Sequence, residues 1–220
     1  MSFSNILTSV LLLSSAIVAS AGVTQKDFTG IGHIHVLKSD DWRKATPAQK
    51  VGCLDDQGLF IKDDSPNDCA VFSRLNVFPY TLSSQSGNCT FEDEHTPANT
   101  DSAYGKKDHA WTCNATYVAN IYDELYTVDG FSYTFLCFGD VACYYDAKAL
   151  PESSSDRVPL WQYRWGSQQK GITPGHVQLQ LLWDKIDDSS KGEDAEAIPG
   201  PRVELSAGIQ VPLAGRALRV

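Results

Sequence analysis

Short stretches of alternating apolar and polar residues recur along the chain, most of them closed by glycine, proline or asparagine. A period of two predicts strands rather than helices. Residues 32–37 (Gly-His-Ile-His-Val-Leu) alternate over one strand length. Residues 51–61 offer two short strands around Asp55-Asp56-Gln57-Gly58, a turn whose glycine can take positive φ. Further short strands are predicted at 69–75, 80–83 and 110–114, with Pro79 and Gly87-Asn88 as breaks. The clearest pair follows: Phe131, Tyr133, Phe135 and Cys137 share one face, and residues 142–146 return after Gly139-Asp140. A second pair joins 160–165 to a strand in which Val177, Leu179, Leu181 and Trp183 alternate with Gln178 and Gln180. Helix is predicted only as one or two turns at 118–125 and at 41–50, with Pro47 opposing the second. The pattern predicts a mainly β fold: a single antiparallel β-sandwich-like domain with little helix.

Both ends depart from this pattern. Residues 6–18 form an apolar run of signal-peptide length, and Ala19-Ser20-Ala21 supplies the small residues that signal peptidase needs. Residues 1–21 are therefore expected to be a signal peptide, although positions 1–5 lack Lys and Arg. The run is too short and too serine-rich for a membrane-spanning helix. Residues 22–186 form the expected disulfide-stabilised β domain, and 187–220 an acidic linker and flexible tail. Glu204, Arg216 and Arg219 interrupt the final apolar stretch, which excludes a glycolipid anchor signal. A secreted, extracellular protein without a membrane anchor is the expectation.

The cysteines agree with it. Cys53, Cys69, Cys89, Cys113, Cys137 and Cys143 form an even set with no C-x-x-C spacing, as three disulfides rather than a zinc ribbon would require. Pairing between neighbours in sequence is expected, which stabilises the domain and resists proteolysis. Asn88-Cys89-Thr90 and Asn114-Ala115-Thr116 are N-glycosylation sequons.

Charge removes several partners. With 18 Lys and Arg against 27 Asp and Glu, the net charge is −9, so nucleic acid and anionic membranes are poor partners. Candidate chemistry is sparse. His33 and His35 lie two apart on a predicted strand, with side chains on one face roughly 6.5–7 Å apart, so both could reach one metal. A third ligand would come from His95, His109 or His176. The simpler alternative is a polar face with Ile34 and Val36 packing inward. The acidic doublets Asp40-Asp41, Asp55-Asp56 and Asp63-Asp64, and the run Glu92-Asp93-Glu94, read as solvated turn acids, because neighbours on a strand point to opposite faces. A G-x-S-x-G elbow and a D-x-D-x-D-G calcium loop are both missing. Trp161, Tyr163 and Trp165 would share one face of a strand, as a flat row suited to sugar rings or as a core stripe facing Val177, Leu179, Leu181 and Trp183. The core reading leaves Gln162, Arg164, Gln178 and Gln180 outside.

The cysteine contexts at residues 52–58 (Gly-Cys-Leu-Asp-Asp-Gln-Gly), 68–72 (Asp-Cys-Ala-Val-Phe) and 87–91 (Gly-Asn-Cys-Thr-Phe) resemble the small secreted cysteine-rich proteins of filamentous fungi. The resemblance covers roughly residues 51–91 and brings no catalytic residues with it. It implies an effector acting on a host, or a protein of the cell wall. A secreted non-enzymatic interaction protein, such as a fungal effector, is the leading expectation, with an extracellular protein or a wall glycan as partner and no cofactor. A carbohydrate-binding wall protein using the aromatic row is the first alternative, and a secreted hydrolase or metal-dependent enzyme around His33 and His35 the second.

Overall fold

The computed structural model describes residues 23–24, 28–65, 68–74, 80–140 and 142–187. The expected signal peptide and the tail beyond Asp187 lie outside the described residues. The strands are β1 (Val23–Thr24), β2 (Ile31–Lys38), β3 (Lys50–Leu54), β4 (Phe60–Ile61), β5 (Phe72–Arg74), β6 (Leu82–Ser84) and β7 (Gly87–Thr90). They continue as β8 (Thr112–Asn114), β9 (Thr127–Val128), β10 (Phe135–Leu136), β11 (Tyr144–Ala147), β12 (Trp161–Gln162) and β13 (Val177–Asp187). Two single 3₁₀ turns, Pro47–Gln49 and Ile121–Asp123, are the helical content of the described residues. They occupy the two places where short helices were expected.

Eleven strands join one antiparallel sheet that curls as a half-barrel, and β1 pairs with β9 in a separate ribbon. A mainly antiparallel β fold is therefore observed. The sandwich expectation is refined: among the described residues no second large sheet faces the first. The long strands β2 and β13 form its spine, paired from Leu179↔Lys38 to Asp187↔Ile31. β3 and β5 share the outer edge of β2, while β10 and β11 share that of β13.

Both faces of the spine are covered. Ile34, Val36, Leu179, Leu181 and Trp183 pack with Phe60, Phe72, Trp111 and Tyr145 in the main core. Leu37 and Leu182 enter a smaller cluster with Phe135, Ala45 and the Cys137–Cys143 pair on the other side. This explains the consecutive buried apolar residues Val36-Leu37 and Leu181-Leu182, each contributing roughly 1.5–3 kcal/mol on burial. It also corrects the expected exposure of the glutamines. Gln180 is fully buried, its amide donating to Ala142 O, while Gln162 is nearly so and Gln178 donates to Ser39 O.

Two strand pairings differ from the sequence reading. β12 pairs with β11 rather than β13, so β11 lies between the segments expected to be partners. β10 covers only two residues and does not pair with β11; each uses a different stretch of β13. Gly87-Asn88, expected as a break, instead opens β7, and the turn sits at Gln85-Ser86. The turn at Gly58 is as expected, with φ of +82°.

The cysteines pair in sequence order: Cys53–Cys69, Cys89–Cys113 and Cys137–Cys143. The second joins directly opposed residues of β7 and β8. No helix among the described residues is long and apolar enough to cross a membrane.

Candidate functional site

The aromatic row and the histidines singled out in the sequence do not converge on one site. Trp161 is buried in β12, its indole N–H donating to Pro97 O at 2.8 Å. Tyr163 packs edge-on against Tyr144, with ring centroids 5.5 Å apart. Trp165 is 70% exposed. The strand ends at Gln162, so alternation stops and the three rings form no common face.

His33 and His35 do share a face, with ring centroids 6.1 Å apart, and Ile34 and Val36 are buried beneath them. One nitrogen of each already has another partner. Nδ1 of His33 meets Ala70 O, and Nε2 of His35 meets the Asp184 carboxylate at 3.0 Å. The three histidines considered as a third ligand are committed elsewhere. His95 pairs with Asp93, His109 with Thr96 O, and His176 with the buried Asp146 and with Asp101.

Of the acidic doublets, Asp40, Asp56 and Asp64 are exposed as expected, whereas Asp55 departs from the expectation. Asp55 is buried, accepts the N–H groups of Gln57 and Leu59 and pairs with Arg157 at 2.6 Å. Burial pushes its carboxyl above the usual aspartate range.

A distinct site emerges around residues 117–123. Asp123 is fully buried and accepts hydrogen bonds from the Thr90 hydroxyl, the Tyr117 hydroxyl and the Asn120 N–H. Asn120 caps the 3₁₀ turn, its Oδ1 accepting Tyr122 N–H at 2.8 Å and its amide donating to the Tyr117 hydroxyl. Burial raises the Asp123 carboxyl and pushes the Tyr117 hydroxyl up to about 12. Asn88 fastens the loop's start, its amide donating to Tyr117 O at 2.9 Å. This internal polar lock holds the chain so that Val118, Ile121 and Tyr122 face solvent, at 54%, 49% and 72% exposure.

Beside the loop lies an open depression of about 290 Å³, lined by Glu92, Asp93, Glu94, His95, Asn114 and Tyr117 among others. Burial alone would raise the Asp93 carboxyl. The His95 N–H and the Asn114 amide outweigh it and hold Asp93 below the usual range, ionised at neutral pH. Glu92 and Glu94 are exposed beside it, so the depression is acidic.

No motif marks this site in the sequence. Its acidic side is legible as the run Glu92-Asp93-Glu94, and its loop only as the short helix predicted at 118–125.

No protein-family model, curated protein or solved structure matches the chain.

Proposed function

We propose that the protein is a secreted, non-catalytic interaction protein that grips a basic, apolar-anchored surface of an extracellular protein. The observation that carries this reading is the outward-facing trio Val118, Ile121 and Tyr122, held by a buried hydrogen-bond lock beside an acidic depression. Aromatic and aliphatic groups presented in a fixed conformation bind with little ordering cost. The net charge of −9 and the carboxylates of Glu92, Asp93 and Glu94 select a cationic partner and speed its encounter. Three disulfides, a signal-like N-terminus and two sequons support action outside the cell. An effector of a fungus, working on a host protein, fits this chemistry and the resemblance in the cysteine contexts.

The test is resonance mapping with a soluble peptide of alternating lysine and leucine. Shifts centred on residues 92–95 and 117–123 are expected. Shifts centred elsewhere, or none, would overturn the assignment.

Wall-glycan binding is the second reading, favoured by a different pair of rings. Trp165 and Tyr104, 70% and 44% exposed, lie on loops that touch where the Tyr104 hydroxyl meets Ser167 and the Gln168 N–H. Retention on chitin, β-glucan or cellulose that falls on Trp165→Ala would support it.

A further inference from the structure

On the face of the sheet away from the main core, His35 stands directly opposite Cys53 in the β2–β3 pairing. The ligand atoms of His35, Asp63 and Cys69 all lie within 4.8 Å of one another. His35 is unusual within this group. Its Nε2 faces the Asp184 carboxylate, whereas its Nδ1 is buried and has no hydrogen-bond partner. An Nε2–H donated to Asp184 makes Nδ1 the lone-pair nitrogen. That lone pair is enclosed near a carboxylate and a sulfur, three electron-rich groups with no hydrogen-bonded proton at the nitrogen.

Such an arrangement suits a cation. Carboxylate-to-imidazole contacts of the Asp184–His35 kind orient metal-ligating histidines and raise their basicity. In the oxidised protein Cys69 is bonded to Cys53, and a disulfide sulfur is a poor ligand. Opening that bond would free the Cys69 thiolate within the cluster and the Cys53 thiolate next to Cys69.

We propose that the reduced chain binds one zinc-type divalent cation through His35 Nδ1, the Asp63 carboxylate and the thiolates of Cys53 and Cys69. Two electrons and two protons from a thiol reductant cleave the S–S bond, leaving two thiols and the reductant's own disulfide. Cation binding then displaces the two thiol protons to solvent. Tetrahedral zinc places its ligand atoms roughly 3.3–3.8 Å apart, so the His35, Asp63 and Cys69 atoms need only a small contraction, while the two sulfurs, once reduced, move apart to that spacing. Lys50 holds Oδ2 of Asp63 and leaves the other oxygen for the metal. The cation would fasten β3 to the Cys69 segment before oxidation, and disulfide formation would expel it.

The experiment uses the full chain, reduced, with zinc alone as the probe at one equivalent. The alkylation rate of each cysteine is followed by peptide mass spectrometry. Zinc is expected to slow Cys53 and Cys69 by about tenfold or more, leaving Cys89, Cys113, Cys137 and Cys143 unchanged. His35→Asn and Asp63→Asn should each remove most of that protection, and the oxidised form of each variant serves as the folding control. Uniform protection of all six cysteines, no protection, or protection that survives either substitution would overturn the site.

Discussion

Asn88 and Asn114 stand directly opposite each other on β7 and β8, one residue from the disulfide that joins Cys89 to Cys113. Both sequons of the chain therefore place their acceptor at one spot on the sheet. The two asparagines differ in their surroundings. Asn114 begins an exposed turn, its Oδ1 accepting the Thr116 N–H and hydroxyl, whereas Thr90 of the first sequon is buried against Asp123.

Incomplete glycan occupancy follows. Directly opposed side chains sit about 4.5–5.5 Å apart at Cβ, which crowds two glycans. In a glycosylating eukaryotic host, chains bearing one glycan should predominate over chains bearing two. Peptide mass spectrometry after enzymatic deglycosylation in heavy-oxygen water measures this. Full occupancy of both sites would contradict it.

Replacement of the aromatic residues separates core from surface. Trp161→Ala should destabilise the protein by about 3–5 kcal/mol, because it empties a buried site and removes one of the two donors to Pro97 O, the Ala110 N–H remaining. Trp165→Ala should stay within about 0.5 kcal/mol of the parent, since the ring is largely in solvent. Urea denaturation of the two variants decides it. Equal effects would mean that the rings share one environment after all.

The buried Asp123 carries a pH signature. Burial raises its carboxyl above the unfolded value, so the folded state holds the proton more tightly than the unfolded chain does. Its contribution is complete below the unfolded aspartate value of about 3.9 and is lost as pH rises through the raised folded value. Asp123→Asn keeps this position neutral, so its stability relative to the parent should increase with pH across that window. Asp123→Ala leaves the Thr90, Tyr117 and Asn120 donors unpaired and should cost about 1–3 kcal/mol. Denaturant titrations from about pH 4 to 7 give both numbers. A difference between Asp123→Asn and the parent that does not vary with pH would contradict the raised value.

Much of this architecture can be read from local pattern. The alternation at 32–37 places His33 and His35 together over buried Ile34 and Val36, and sequential pairing gives all three disulfides. Local pattern fails where contacts between distant segments decide. The aromatic alternation at 161–165 continues past the end of β12, because only Trp161 and Gln162 find partners on β11. Gln180 looks like a surface residue, yet Ala45, Phe135, Cys137 and Cys143 cover that face of the sheet and Ala142 O takes its amide. The lock around Asp123 joins residues 33 apart in sequence through a hydroxyl, and no periodicity marks such a contact.

The measurement that bears most directly on the proposed function is the affinity of the lysine–leucine peptide for the parent and for surface variants, at low and high salt. Tyr122→Asp and Ile121→Asp should each weaken binding by roughly tenfold or more, since they remove apolar anchors. Glu92→Lys combined with Glu94→Lys should weaken it and flatten its salt dependence, while Trp165→Ala should leave it unchanged. Binding indifferent to the loop and acidic substitutions, or lost with Trp165→Ala, would contradict the account.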